Sequence, residues 1–222
     1  MPGIASVIQQ PVIGITGGMG SGKSAVARYL HRRFGGILID ADAVCRELME
    51  PGATGWDAFR STFGAEYLNP DQSINRPLLR RVIFLEEEKR RRLESLLHPL
   101  AKKEIVRRIG EARAVLFLVE VPLLFEAGWD REMDRIIVVY ADHASCRIRL
   151  MKRDRMNATD ATVAMATQWP LAVKALQADH VIDNSGNWAA TCLQVLHLGE
   201  LLWQLAGKEE HIRPSCACGE AK

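Results

Sequence analysis

Apolar residues along the chain fall into two rhythms. Short runs bounded by glycine, proline or acidic residues recur at Val12 to Thr16, Gly36 to Asp42, Ala114 to Pro122, Arg135 to Tyr140 and His180 to Asp183. Their length and β-branched content predict five strands. The run from Ala114 is too apolar for a surface strand and predicts a central one. Between them, apolar residues return at helical spacing. The first such stretch is Ser24 to Phe34, where Val26, Tyr29, Leu30 and Phe34 share a face and Gly35-Gly36 end the helix. Further helices are predicted over Ala43 to Met49, halted by Pro51-Gly52, over His143 to Arg155, from an N-cap at Thr159 to about Trp169, from Pro170, and over Trp188 to Leu205. From Gly55 to about Gly110 the strand signal fades and only helical spacing remains, which predicts a helical insertion rather than another βα unit. Within it, Glu86 to Arg92 reads as a solvated helix face with acid-to-base pairs three and four residues apart, and Pro99 predicts a kink or a restart beside His98. Strands alternating with helices give a parallel α/β sheet with two appendages over its carboxyl edge.

Composition narrows this picture by exclusion. The chain has 222 residues, 48% hydrophobic and 25% charged, and a formal charge of +2 from 29 basic and 27 acidic residues. That size suits one domain with inserted subdomains, and the balanced charge gives no reason to expect nucleic acid or a membrane as a partner. The start MPGIASVIQQP lacks the basic region of a secretory signal, and no run approaches the about 18 apolar residues of a membrane span. A cytoplasmic location is the expectation. The 5 cysteines are odd in number and scattered, which argues against a disulfide framework. Cys216-Ala217-Cys218 with His211 offers too few ligands for a metal site.

The chemistry is concentrated after the first strand. Gly17, Gly18, Met19, Gly20, Ser21, Gly22, Lys23 and Ser24 spell a glycine-rich P-loop set between a strand and a helix. Its glycines allow backbone N–H groups to converge on phosphate oxygens, and the helix N-terminus adds its dipole. Lys23 supplies a charge to the β- and γ-phosphates, and Ser24 a hydroxyl for Mg²⁺. Asp40 and Asp42 follow the second strand, on the sheet edge where α/β folds bind ligands. Glu120 near the end of the third strand fits two roles equally, as an Mg²⁺ organiser or as a partner of the P-loop or a lysine. Pro122 to Gly128 forms a loop with Leu123, Leu124 and Phe125 as an apolar wall and Glu126 as its polar group. Arginines around Arg153 suit a lid that neutralises charge on a transferring phosphoryl group. A guanine-reading NKxD is absent. The acceptor-sized insert beside Asp42 favours phosphoryl transfer to a small molecule.

Taken in order, GGMGSGKS, IDAD with Arg46 and Glu50 to Gly52, LLHPL at Leu96 to Leu100, VPLLFE at Val121 to Glu126, RLMKRD at Arg149 to Asp154 and ADHVIDNSG at Ala178 to Gly186 resemble the dephospho-CoA kinase family over about Val12 to Leu202. The resemblance implies transfer of the ATP γ-phosphate to the ribose 3′-hydroxyl of dephospho-coenzyme A. It implies a P-loop kinase core (12–54, 111–152 and 179–206), a helical CoA-binding insert (55–110) and a lid (153–178), flanked by an N-terminal extension (1–11) and a tail (207–222). Asp42 is then the expected general base, with Asp40 the weaker candidate, and Lys23 and Arg153 stabilise the transition state. Ser24, with Glu120, is expected at Mg²⁺. Arg46, His98, Leu123 and Glu126 line the acceptor pocket beside the two aspartates, and Asn184 in the turn after Asp183 approaches the ATP adenine. Two lid arginines common in the family are here Ala164 and Gln177, which leaves Arg153 and Lys174 as the expected lid cations. The alternatives are another small-molecule or nucleoside monophosphate kinase of the same architecture and, more remotely, a non-catalytic nucleotide-binding protein. The sequence carries no signal for an oligomeric state.

Overall fold

The computed structural model describes residues 10–207. The Cys216/Cys218 tract and nearly all of the N-terminal extension and the tail lie outside the described residues. Five strands, β1 (Val12–Gly17), β2 (Ile37–Asp40), β3 (Phe117–Glu120), β4 (Arg135–Tyr140) and β5 (His180–Asp183), form one sheet in the order β2-β3-β1-β4-β5. β1 pairs in parallel with β3 and β4, and β4 with β5. This is the expected five-stranded parallel α/β architecture. The register sets Ile15 beside Glu120 and Tyr140 beside Asp183. Because these four strands run the same way, the loops after β1, β3, β4 and β5 gather on one edge.

β1 is buried along its whole length, as a central parallel strand must be. Helix α1 (Lys23–Phe34) packs Val26, Leu30 and Phe34 into a cluster with Ile13, Ile15 and Val139 of the sheet. β2 is shorter than expected because the chain turns at Asp40, whose carboxylate caps helix α2 (Ala41–Leu48). β3 likewise reduces to the four buried residues between Leu116 and Val121. It remains an inner strand, flanked by β2 and β1.

Between residues 40 and 112 the chain forms a compact helical unit of its own. It begins earlier than the expected 55, because α2 packs against the long helix α5. Helices α3 (Thr54–Phe63), α4 (Arg76–Leu85) and α5 (Glu87–Glu111) complete it. Its core is aromatic: Phe59 and Phe63 stack with centroids 4.9 Å apart, and Tyr67 meets both edge-on. Pro99 neither ends nor restarts α5, which continues through it for 25 residues. The proline lies on the exposed side, while Leu93, Leu97, Ala101, Ile105 and Ile109 hold the helix from its buried side. Burial on both sides of Pro99 outweighs the one backbone hydrogen bond that it removes.

In the remaining chain, helices α6 (His143–Asp154), α7 (Ala158–Ala166) and α8 (Leu171–Leu176) precede β5, and α9 (Trp188–Leu205) follows it. The N-cap of α7 is Asn157, which accepts the Asp160 N–H at 2.8 Å, not Thr159. The helix ends at Ala166 rather than near Trp169. α9 lies against α1 so closely that a Cβ on Gly199 would sit 2.0 Å from the Phe34 ring. Among the described residues no helix is long and apolar enough to cross a membrane, and no group of three or more His, Cys, Asp or Glu side chains could hold a metal ion.

Candidate active site

The loop between β1 and α1 is shaped by two glycines with positive φ, Gly20 at 77° and Gly22 at 87°. A Cβ would sit 2.2 Å from the Cys146 carbonyl oxygen at the first and 2.2 Å from Asn184 Nδ2 at the second. Both conformation and space therefore require glycine. The loop closes through Ser21 N–H to the Gly18 carbonyl at 3.2 Å, and the Gly22 carbonyl accepts from Ala25 and Val26. The first N–H groups of α1 have no intrahelical acceptor and, with the helix dipole, form an anion cradle.

Lys23 Nζ reaches Glu120 Oε1 at 2.5 Å, with the two side chains only 11% and 7% exposed. The Ser24 hydroxyl donates to the same oxygen. Of the two roles expected for Glu120, this geometry displays the partner of the P-loop lysine. The hydroxyl and carboxylate side by side are also the hard oxygen donors that suit Mg²⁺.

The segment expected as a lid grips the other side of the loop. Gln168 Oε1 accepts the Met19 N–H at 2.9 Å. The Met19 side chain packs on Leu150, Ala161 and Ala164. Ala164, standing where an arginine was expected, is thus part of an apolar cluster. Lys174 is fully buried: its Nζ pairs with Glu126 Oε1 at 2.7 Å and donates to the Pro122 carbonyl at 3.1 Å. The Glu126 oxygen also accepts the Trp169 N–H at 3.0 Å, and Phe125 stacks on Trp169 with centroids 6.4 Å apart. Lys174 is therefore not available as a phosphate ligand in this arrangement. Glu126, expected in the acceptor pocket, ties α8 to the loop after β3 through Oε1, and its Oε2 is buried without a hydrogen-bond partner. Leu123 is half-buried beside it, and Leu124 is buried.

The two arginines one turn apart on α6 differ. Arg153 lies outward and forms a two-bond pair with its neighbour Asp154, both contacts at 2.8 Å, and this raises its pKa. Arg149 turns inward. Its Nη2 donates to the Asn184 carbonyl at 2.8 Å, while Nη1 is buried without a hydrogen-bond partner, 4.0 Å from where a Cβ on Gly22 would be. A buried guanidinium N–H with no acceptor is costly, and a phosphate oxygen would satisfy it. The motif RLMKRD contained this residue, but helical periodicity places both arginines on one face and does not decide which one reaches the loop. Gln168 was equally open to view without any signal of its contact. Asn184 is buried, and its amide is engaged by the Ser21 carbonyl and the Thr191 hydroxyl.

In the helical unit, Asp40 Oδ1 accepts the N–H groups of Asp42 and Ala43 at 2.9 and 3.2 Å, and Oδ2 lies 3.5 Å from Arg46 Nη2. Capping thus falls to Asp40, and Asp42 occupies the first turn of α2. Burial, followed by the charge of Asp42, pushes the nearby Cys45 thiol up to about 11. His98 is half-buried, and that burial lowers its pKa and favours the neutral imidazole.

Comparison with known proteins gives the family and the fold. Residues 11–190 match the dephospho-CoA kinase family model. The dephospho-CoA kinase of Geobacter metallireducens is 42% identical over 192 residues, covering 84% of this chain and 94% of that protein. The Symbiobacterium thermophilum dephospho-CoA kinase is 37% identical over 198 residues, covering 88% and 81%. Among solved structures, a Thermus thermophilus protein superposes with a TM-score of 0.78 at 27% identity, covering 89% of this chain and 99% of that one. A Campylobacter jejuni dephospho-CoA kinase shares the fold at a TM-score of 0.62 and 23% identity, covering 87% and 97%.

Proposed function

The chain belongs to the dephospho-CoA kinase family and has its ATP-dependent activity, the final step of coenzyme A biosynthesis; we propose that its P-loop, Lys23 and Arg149 hold the phosphoryl group in transit and that Asp42 is the general base. In this reading the 3′-oxygen of the dephospho-coenzyme A ribose attacks the γ-phosphorus of ATP. Its proton passes to the Asp42 carboxylate, the bond to the β-phosphate oxygen breaks, and ADP leaves. Charge in such a loose transition state spreads over the equatorial oxygens, so positioned cations supply most of the catalysis. The observation that carries the reading is the buried, partnerless Nη1 of Arg149 beside Gly22, on the same loop that carries Lys23. Arg153, one turn further out, serves as a secondary contact to ATP.

Ser24 and Glu120 are the residues that would hold Mg²⁺, which supplies neutralisation of phosphate charge when bound. Arg46, His98 and Leu123, with Asp40 as the cap that orients α2, are assigned to the acceptor. Cys45 and Cys146 are free thiols, which supports a reaction in the reducing cytoplasm.

The test is a coupled assay of ADP release with and without dephospho-coenzyme A, in wild type and Asp42→Asn. Turnover that needs both the acceptor and Asp42 supports the assignment. ADP release indifferent to the acceptor overturns it, and an unimpaired Asp42→Asn removes the general base.

A further inference from the structure

Asn184, expected near the nucleotide, is held on all sides by the protein itself. The residue is 5% exposed and makes four hydrogen bonds to four separate parts of the core. Its N–H donates to the Tyr140 carbonyl at the end of β4, at 2.7 Å. Its carbonyl accepts Arg149 Nη2 from α6 at 2.8 Å. Nδ2 donates to the Ser21 carbonyl of the P-loop at 2.7 Å, and Oδ1 accepts the Thr191 hydroxyl of α9 at 2.9 Å.

The orientation of this amide is not arbitrary. A main-chain carbonyl only accepts, so the nitrogen must face Ser21, and the Thr191 hydroxyl must then donate to the oxygen. The amide also fills the space left by the missing side chain of Gly22, where a Cβ would lie 2.2 Å from Nδ2. One residue thus touches both halves of the phosphate site. Its side chain fixes the peptide leading into Gly22 and Lys23, and its main chain holds the guanidinium whose other nitrogen has no partner.

We infer that Asn184 is a positioning residue for phosphoryl transfer, locking the P-loop and Arg149 into one mutual geometry rather than reading the nucleotide. The inference rests on the proposed role of Arg149 at the phosphate. Catalysis by fixed charges requires that they be in place before the charge develops, and a displacement of about 1 Å costs on the order of 10²-fold. A residue that sets two donors relative to each other should therefore act mainly on kcat, through both.

The test measures kcat and both KM values for wild type, Asn184→Ala, Arg149→Met, the double variant, Thr191→Val and Thr191→Ser, each with its thermal midpoint. Asn184→Ala should lower kcat by roughly 30–100-fold, with the KM for dephospho-coenzyme A changed less than about 3-fold. The double variant should lose clearly less than the product of the two single losses, because residues that act as a unit are not additive. Thr191→Val, which frees the amide without entering the site, should show a smaller loss of the same kind, and Thr191→Ser should restore kcat. This pair tests the inference even if Asn184→Ala folds poorly.

Losses that multiply in the double variant would overturn the positioning role while leaving Arg149 intact as a phosphate ligand. A rise in the KM for ATP with kcat unchanged would make Asn184 a nucleotide contact instead. An unaltered kcat in Arg149→Met would remove the phosphate role of Arg149, and the inference with it.

Discussion

The sheet-bearing unit and the helical unit handle polar groups in opposite ways. In the first, polar side chains are buried and joined across the chain: Lys23 to Glu120 spans 97 positions, Met19 to Gln168 spans 149, and Ser21 to Asn184 spans 163. In the helical unit the charges lie outside, and most of the ion pairs join residues three or four apart along one helix, as in Arg91 with Glu87 and Arg107 with Glu111. Its interior is aromatic and aliphatic. Burial strengthens an ion pair's geometry and raises the cost of breaking it, whereas exposed pairs are screened by water and salt. Charge is therefore structural in the core and nearly decorative for stability in the helices. The residues proposed to hold the phosphates, Lys23 and Arg149, belong to the unit in which charges are fixed.

The sharpest way to break this contrast is to exchange the kinds of damage. Lys174→Met leaves the Glu126 carboxylate in a buried pocket without its cation, and should cost about 3–5 kcal/mol of unfolding free energy. Adding Glu126→Gln should recover much of that loss. Phe59→Ala in the helical unit should cost a similar amount, about 3–5 kcal/mol, through lost burial and stacking alone. Urea unfolding followed by tryptophan fluorescence checks both. If Lys174→Met proved as mild as an exposed arginine substitution, the distinction between the two units would fail.

Next in size is an effect on rate. Arg149→Met should lower kcat by about 10²-fold, the usual scale for one preorganised donor. Arg153→Met, which breaks an exposed pair with the adjacent Asp154, should lower it less than about 3-fold, in keeping with the small worth of surface pairs. Equal losses would mean that α6 presents both arginines to the phosphates during turnover.

How much of this was legible in the sequence follows from the same contrast. Local patterns carried the strands, since β4, β5 and α9 begin and end where apolar runs and turn residues place them. They also carried the charge run of α5, where Lys89 pairs with Glu86 and Arg91 with Glu87. Caps were harder, because Asp40 and Asn157 each stand within two residues of a second side chain able to cap, and backbone direction decides between them. Of the two outcomes expected at Pro99, the restart did not occur, because burial on both sides outweighs the local rule. The grips on the P-loop and on the loop after β3 were invisible for a different reason. Gln168, Asn184 and Lys174 reach their partners only after the sheet has brought loops together from distant parts of the chain, and one sequence has no periodicity that reports such a meeting.

The smallest effect expected is also a test of sign. Glu104 on α5 accepts hydrogen bonds from Arg107 and Arg108, and these hold its carboxyl down at about 2. Arg108 also reaches Glu47 of α2, so the cluster joins two helices of the same unit. A carboxylate whose pKa is lower when folded contributes stability that is fully present above its unfolded pKa, about 4.3, and that is lost as pH falls through the folded value. The difference in unfolding free energy between wild type and Glu104→Gln should therefore be flat from pH 5 to 8, shrink below about pH 4 and vanish near pH 2. Because Arg107 is half exposed, the difference should also shrink in 1 M salt, where the screening length is about 3 Å. At pH 7 it should be a small fraction of the Lys174→Met loss. A difference that grew on acidification would mean that the protonated carboxyl, not the carboxylate, is the form the helix pair prefers, and exposed charge in this unit would then have no stabilising role at all.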